Sequence, residues 1–162
     1  MEASRFERTS VGYSLEKMKK WDTYFLDIAK RTAMLSKDPS TQTGAVIANG
    51  KNIVSVGYNG FPKDMPDKPE NYIDRNEKYS RIVHCEMNAL ITAGRLPAGT
   101  TLYTYPFASC DRCAVHVIQA GIRHFVFPKL PESLKERWQV SLDKTKQYFK
   151  ECGCTFQEYD YE

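Results

Sequence analysis

Apolar residues near the start of the chain recur at three- and four-residue spacing, which is the repeat of one face of an α-helix. Ser14 is a candidate N-cap for this helix, and Asp38-Pro39 marks the point before which it should end. The pattern predicts a helix whose core-facing stripe consists of Trp21, Phe25, Ile28, Thr32 and Leu35.

Two β-rich runs, at residues 44–48 and 53–58, follow this helix. Asn49-Gly50 lies between them, and this dipeptide is favoured in tight hairpin turns because both central residues need positive φ. We therefore expect an antiparallel hairpin. Residues 59–81 are rich in Pro, Gly, Asn, Asp and Lys, which predicts a long surface loop with one short helical turn.

The second half of the chain alternates between helical and strand patterns. Helices are predicted at 84–93 and 111–120, and strands at 101–105 and 124–127. A final helix should follow Pro131 and stop at Gly153, before a last strand at 154–159. Its apolar face consists of Leu134, Trp138, Leu142, Thr145 and Phe149. This alternation favours parallel strands joined by helical crossovers, so the sequence predicts an α/β fold with a mixed sheet of about five strands.

Length and composition limit the class of protein. The chain has 162 residues, of which 41% are hydrophobic, and this is enough to fill the core of one domain. We expect residues 1–13 to form a loosely attached arm and residues 14–162 to form a single domain. The apolar runs are too short to span a membrane, and the N-terminus lacks a signal-peptide core. These features predict a cytoplasmic protein without a membrane partner.

Charge and cysteine content narrow the picture further. The net charge of +3 is spread evenly along the chain, so it does not indicate a nucleic-acid-binding surface, and it is compatible with a small anionic substrate. Five cysteines make an odd count, which favours reduced thiols or a metal site over a complete set of disulfides.

Candidate chemistry is concentrated in two short motifs. His84-Cys85-Glu86 is followed, after 23 intervening residues, by Cys110-Asp111-Arg112-Cys113. Each motif opens a predicted helix, so the imidazole of His84 and the thiols of Cys110 and Cys113 are expected to meet at a common point. These ligand types suit zinc.

The number of ligands separates a catalytic zinc site from a structural one. Structural sites use four protein ligands, whereas catalytic sites use three and leave a position for water, whose pKa zinc lowers from near 15.7 to roughly 7. Glu86 is predicted to carry protons rather than bind the metal. His-x-Glu with Cys-x-x-Cys is the signature of zinc deaminases, in which a proline precedes the first cysteine. Here Ser109 precedes Cys110 and the proline is displaced to Pro106, which leaves the geometry of the turn open.

Three further segments carry a family resemblance. SKDPSTQTGAVI at 36–47 looks like a lead-in to a first strand, GYNGFP at 57–62 looks like a nucleotide-binding loop, and HCEMNALI is similar to the sequence HAELNAI. Through these segments, residues 21–159 resemble the deoxycytidylate (dCMP) deaminase family of the cytidine deaminase-like superfamily. The resemblance implies a three-layer α/β/α sandwich and the hydrolysis of dCMP to dUMP and ammonia, which feeds thymidylate synthesis.

The resemblance also implies roles for single residues. Asn59 would contact the deoxyribose, and Glu86 would protonate the ring nitrogen and later the leaving ammonia, while a zinc-activated water attacks the amine-bearing carbon. Cys85 stands where the family usually has alanine; its backbone N–H would contact the substrate, and its thiol is expected to be a small buried side chain. The other implied substrate contacts are Gly44, Ala45 and Ser109.

Phosphate binding and regulation are implied less specifically. A phosphate needs a cation or a helix N-terminus, and the cations near the motifs are Lys37, Lys63, Arg81 and Arg112, among which the sequence does not choose. Members of the family are commonly hexamers regulated by dCTP and dTTP. We therefore expect a homo-oligomer, hexamer or dimer, with Mg²⁺ accompanying an allosteric nucleotide. The candidate contacts for that nucleotide include Tyr58, Gly60 and Asn88.

Two other interpretations stay open. The first is a zinc deaminase with another substrate, such as CMP, cytidine, free cytosine, guanine or a tRNA adenosine, because the zinc chemistry is shared and the shape of the pocket selects the base. SKDP and GYNGFP favour a nucleotide, and the modest charge counts against tRNA. The second is a binding module in which zinc only stabilises the fold; the presence of Glu86 argues for catalysis.

Overall fold

The computed structural model describes residues 19–162, which form six α-helices and five strands. The helices are α1 (Lys20–Ala33), α2 (Pro69–Ile73), α3 (Arg75–Arg81), α4 (Cys85–Ala93), α5 (Asp111–Gln119) and α6 (Lys135–Glu151), the last preceded by a 3₁₀ turn at Glu132–Leu134. The strands are β1 (Gly44–Asn49), β2 (Asn52–Tyr58), β3 (Thr100–Tyr105), β4 (His124–Pro128) and β5 (Thr155–Tyr159).

The five strands form one mixed sheet in the order β2-β1-β3-β4-β5. β1 is antiparallel to both β2 and β3, whereas β3, β4 and β5 run parallel to one another. α5 connects β3 to β4, and α6 connects β4 to β5, so the predicted helical crossovers are confirmed. The predicted cap at Ser14 and the boundary between an arm and a domain at residues 13 and 14 lie outside the described residues.

Helices cover both faces of the sheet, which confirms the three-layer α/β/α sandwich. On one face, Phe25, Leu26 and Ala29 of α1 pack against Val46 and Tyr103. On the other face, α4, α5 and α6 enclose a larger core that includes Ile47, Leu102, Phe125, Phe127 and Phe149. Alternate residues of β1 and β3 point to opposite cores, as the two-residue repeat of a strand requires.

The first helix is shorter and less regular in burial than its sequence pattern predicts. Phe25 is fully buried and Thr32 is buried, but Trp21 at the start of the helix is 39% exposed. Leu35 lies beyond the last residue of α1 and is 63% exposed. The stripe prediction is therefore wrong at both of its ends: the helix stops at Ala33, and Trp21 lies beside the turn between β1 and β2, with Lys51 Nζ 5.5 Å from the centroid of its ring.

The hairpin is confirmed, but its turn is one residue later than the dipeptide rule suggests. Asn49 pairs with Asn52, so Gly50 and Lys51 are the central residues. Gly50 has φ +60°, and Asn49 and Lys51 have ordinary negative values. Positive φ is needed only at the first central position, as in turns that place glycine there.

Residues 59–81 contain two helices rather than one helical turn. Asp74 caps α3 by accepting a hydrogen bond from the Glu77 backbone N–H at 2.9 Å. Tyr72 of α2 is buried and stacks on Phe61, with ring centroids 4.2 Å apart. This segment is therefore folded against itself, and Lys78 and Tyr79 of α3 line a pocket. Among the described residues, no helix is long and apolar enough to cross a membrane.

Candidate metal centre and active site

Two helix starts meet at the carboxyl end of β3. His84 is the N-cap residue of α4 and Cys110 is the N-cap residue of α5, and both have the extended backbone that is usual there. The Cys110 sulfur accepts a hydrogen bond from the Cys113 backbone N–H at 3.4 Å, so the turn forms with Ser109 in the place of proline. Ligand-binding sites of α/β sheets lie at this end of the parallel strands.

The three predicted metal ligands lie together. The His84 Nδ1 atom is 3.5 Å from the Cys110 sulfur and 3.3 Å from the Cys113 sulfur, and the three donor atoms all lie within 4.8 Å of one another. With Zn–N of about 2.0–2.1 Å and Zn–S of about 2.3 Å, a tetrahedral ion separates a nitrogen and a sulfur ligand by about 3.5 Å. The donor set therefore fits zinc in type and in spacing.

Charge at the donor set favours a thiolate. Hydrogen bonds from Cys113 and His84 lower the pKa of the Cys110 thiol to about 4 against the opposing effect of burial. The pKa of the Cys113 thiol is raised, mainly by its hydrogen bond to Cys110 and to a lesser extent by burial. The hydrogen bond to Cys110 likewise raises the pKa of His84. At neutral pH the site thus holds a thiolate, which is the form of cysteine that binds metals.

Glu86 lies in the first turn of α4, beside the donor set. Its side chain is buried, with 5% of the residue exposed, and it lines the same pocket as His84 and Cys110. The Cys85 thiol donates to the Glu86 Oε2 atom at 3.3 Å. Cys85 is 1% exposed, which confirms the expectation of a small buried side chain, and burial raises its pKa well above the usual value. Its thiol therefore stays protonated and orients the Glu86 carboxylate.

The SKDP and GYNGFP segments hold each other through hydrogen bonds. The Ser36 hydroxyl donates to the Asn59 carbonyl at 2.8 Å, and Asp38 accepts from the Ser40 and Thr41 backbone N–H groups at 2.8 and 3.3 Å. The Asn59 amide accepts from the Thr43 N–H at 2.8 Å and donates to the Thr41 carbonyl at 2.9 Å and to Asp38 at 3.4 Å. Both amide hydrogens of Asn59 are used, which leaves one acceptor site on its Oδ1 atom.

Three implied substrate contacts lie outside this pocket. Gly44 faces α1 on the opposite side of the sheet, Ala45 is buried in the larger core, and Ser109 is 2% exposed with its carbonyl accepting from Thr145 at 2.8 Å. Their roles as substrate contacts stay predictions.

The cations singled out from the sequence also lie away from the pocket lining. Lys37 is exposed and forms an ion pair with Asp67 at 2.7 Å, and this hydrogen bond raises its pKa. Lys63 and Arg112 are exposed, and Arg81 pairs with Glu77.

The residues predicted to contact an allosteric nucleotide do lie together. Asn88 donates to the Tyr58 carbonyl at 2.7 Å, and Gly60 bridges to Val83.

Sequence reasoning missed one wall of the pocket. This wall consists of Lys78 and Tyr79 of α3 and Arg137 and Trp138 of α6. Lys78 lies in a segment that is rich in loop-forming residues, which gives no sign that its side chain lines a pocket. Trp138 fits the apolar face of its helix, and this pattern predicts only a core residue. The Phe107 and Trp138 rings, 5.2 Å apart, connect this wall to the Cys110 turn.

Gly57 of β2 lies against the backbone of α4, so a larger residue at this position tests how the contact between β2 and α4 positions the helix. A Cβ at Gly57 would lie 2.4 Å from the Cys85 carbonyl oxygen and 2.5 Å from the Ala89 nitrogen, both of which are backbone atoms. We expect Gly57→Ala to displace the start of α4, destabilise the fold by about 1–3 kcal/mol and weaken zinc binding roughly tenfold. Thermal unfolding and competition with a chromophoric chelator measure the two effects.

Gly44→Ala is the matched control for Gly57→Ala. Its Cβ would meet Ala29 and Ala33 of α1 on the far face of the sheet. It should destabilise the fold comparably and leave the zinc affinity of the folded protein unchanged. Equal loss of zinc affinity in both variants would contradict the idea that Gly57 positions the metal ligands.

Taken together, the fold and the site define a class of protein. A three-layer sandwich that brings His-x-Glu and Cys-x-x-Cys to the carboxyl end of a strand has the arrangement of the zinc deaminases. The chain belongs to the cytidine and deoxycytidylate deaminase family, because residues 19–129 match the model of that family's zinc-binding region.

Individual relatives agree with this assignment. The deoxycytidylate deaminase of Mus musculus is 35% identical over 150 residues, covering 86% of this chain and 79% of the relative. An uncharacterized deaminase from the luxG 3′ region of Aliivibrio fischeri is 36% identical over 134 residues, covering 83% and 90%.

A solved structure supports the fold. The dCMP deaminase of cyanophage S-TIM5 in its apo form superposes with a TM-score of 0.67 at 17% identity, covering 87% of this chain and 99% of the other.

Proposed function

We propose that this protein is a zinc-dependent deaminase that hydrolyses dCMP to dUMP and ammonia. The observation that carries the proposal is the convergence of His84, Cys110 and Cys113 donor atoms within 4.8 Å, next to the buried carboxylate of Glu86. Three ligands with an adjacent acid–base group correspond to a catalytic rather than a structural zinc site. Relatives at 33–35% identity are named deoxycytidylate deaminases, which supports the substrate.

The residues of this chain account for the proton transfers that the reaction needs. When bound, zinc supplies Lewis acidity that makes water a nucleophile near neutral pH. Glu86 accepts one proton of the attacking water and gives it to the ring nitrogen. The same carboxylate then takes the remaining proton of the added hydroxyl and delivers it to the amino group, which leaves as ammonia. The Cys85 thiol holds Oε2 in place during these steps, and the free acceptor site of Asn59 is available to a sugar hydroxyl.

A substrate panel combined with metal removal tests the proposal. Purified zinc-loaded protein is incubated with dCMP, CMP, deoxycytidine and guanine, and ammonia release and the ultraviolet change are followed. We expect the highest kcat/KM with dCMP, loss of turnover after treatment with a chelator, and recovery when zinc is added back.

Each other outcome of the panel has a defined meaning. A clear preference for CMP, cytidine, cytosine, guanine or a tRNA adenosine would replace the substrate but keep the chemistry. Turnover of none of these by zinc-loaded protein would contradict the enzyme and favour a zinc-stabilised binding module. Full activity without metal would contradict zinc dependence.

Regulation and assembly form a second part of the proposal. From the family we propose that dCTP or dTTP binds with Mg²⁺ near Tyr58, Gly60 and Asn88. We also propose that the protein is a cytoplasmic homo-oligomer with a role in thymidylate supply. Ile53 and Val56 are exposed apolar residues of β2, an edge strand of the sheet, which supports a subunit contact along this strand.

A further inference from the structure

The pocket wall formed by α3 and α6 contains two cations, one paired with a carboxylate and one not. Lys78 Nζ lies 3.2 Å from Asp38, and both side chains are almost fully buried, so their charges cancel. Arg137 has no acidic partner among the residues that the structure describes. It is therefore the pocket cation whose charge is left for a ligand.

Arg137 is held in place by aromatic groups rather than by a carboxylate. Its guanidinium carbon lies 5.1 Å from the centroid of the Trp138 ring and 5.9 Å from that of the Tyr79 ring, and its Nη2 atom donates to the Tyr79 hydroxyl. Such stacking fixes the orientation of the planar group without neutralising it. Tyr79 retains its own hydroxyl hydrogen, which can be donated to an anion.

Unpaired donors lie at the same place. Arg137 Nε and Trp138 Nε1 are both buried and have no hydrogen-bond partner within residues 19–162, and the same is true of the buried hydroxyl of Thr41. All three residues line the pocket. Because a buried unpaired donor is costly, a cluster of them beside an uncompensated cation points to a ligand group with several acceptor oxygens and negative charge.

We propose that Arg137, oriented by Tyr79 and Trp138, binds the 5′-phosphate of the substrate and makes the enzyme select nucleotides over nucleosides. A guanidinium fork and a phosphate match in geometry and charge. This inference rests on the proposed function, and it places the selectivity on α6, outside the residues 19–129 that match the zinc-binding region. The chemistry and the choice of substrate class thus come from different parts of the chain.

The test compares dCMP with deoxycytidine in the zinc-loaded full chain. We expect Arg137→Gln to lower kcat/KM for dCMP by about 10- to 100-fold, mainly through KM, and to leave kcat/KM for deoxycytidine unchanged. By calorimetry, the affinity for dUMP should fall by a similar factor and the affinity for deoxyuridine should not change. Arg137→Lys, which keeps the charge but not the fork, should lie between the wild type and Arg137→Gln.

The control is Lys144→Gln, which removes one exposed positive charge from the same helix and should change neither ratio. Circular dichroism and zinc content establish that each variant is folded, and Arg137→Lys alone decides the case if Arg137→Gln fails to fold. Equal losses for dCMP and deoxycytidine, or an unchanged preference for dCMP, overturn the role of Arg137 while leaving the deaminase assignment intact. Inactivity of the wild type on every substrate, by contrast, refutes the proposed function itself.

Discussion

Replacement of Glu86 by glutamine is expected to lower kcat for deamination by about 10²- to 10⁴-fold while leaving the zinc content unchanged. The amide nearly preserves the size of the buried side chain, which is 5% exposed, but it cannot accept and return a proton. The carboxylate stands in the first turn of α4 and is separate from the three donor atoms that lie within 4.8 Å of one another. Activity and metal content should therefore separate in this variant.

Steady-state kinetics with dCMP and metal analysis by plasma mass spectrometry measure the two quantities. Glu70→Gln, the same change at an exposed position in the first turn of α2, serves as the control and should retain wild-type kcat. Loss of zinc from Glu86→Gln would mean that the carboxylate is a ligand. Wild-type turnover would mean that another group carries the proton.

Cys113→Ser should have a comparably large effect, in this case on metal binding. The substitution nearly preserves the shape of a side chain that is 4% exposed, but it replaces a thiol ligand with a hydroxyl that remains protonated at neutral pH. Zinc peptides with four ligands bind the metal with roughly 10–16 kcal/mol. One thiolate then corresponds to about 2.5–4 kcal/mol, or about 10²- to 10³-fold in the zinc Kd.

Competition titration with a chromophoric chelator gives the Kd, and differential scanning calorimetry shows how much stability depends on the metal. Cys152→Ser is the matched control, since Cys152 is exposed at the end of α6, away from the donor set. Zinc affinity equal to that of the wild type in Cys113→Ser would remove this residue from the ligand set. Turnover should fall in parallel with zinc occupancy.

Local patterns in the sequence are sufficient for most of the fold. The β-rich run at residues 44–48 is confirmed as a strand that is buried on both faces. The helical repeat of α6 is confirmed because this helix buries one face against the core. Leu142, Thr145 and Phe149 are buried as the α6 pattern requires. Trp21 and Leu35 match the same helical repeat but are exposed. A helical repeat therefore shows which face of a helix is apolar, but it does not show where the neighbouring layer that covers this face ends.

The donor set could be predicted because its residues form two short motifs. The pocket wall formed by α3 and α6 could not be predicted from the sequence. The burial of Lys78 depends on Asp38, which is 40 residues away in the chain, and the position of Arg137 depends on Tyr79, which is 58 residues away. A lysine in a polar segment gives no local sign of being buried, since an ion pair that compensates its charge is formed only in the folded chain. The cations chosen for their proximity in sequence, such as Lys37 and Arg112, lie elsewhere on the surface.

His84 and Cys110 occupy the N-cap positions of α4 and α5. Helix ends are the points at which helices fray, through local openings that are much less costly than global unfolding. An ion shared by the two ends fastens both first turns, so neither can open without breaking a metal–ligand bond. Removal of the ion would therefore release both first turns at once, so that a bound metal couples the opening of α4 to that of α5.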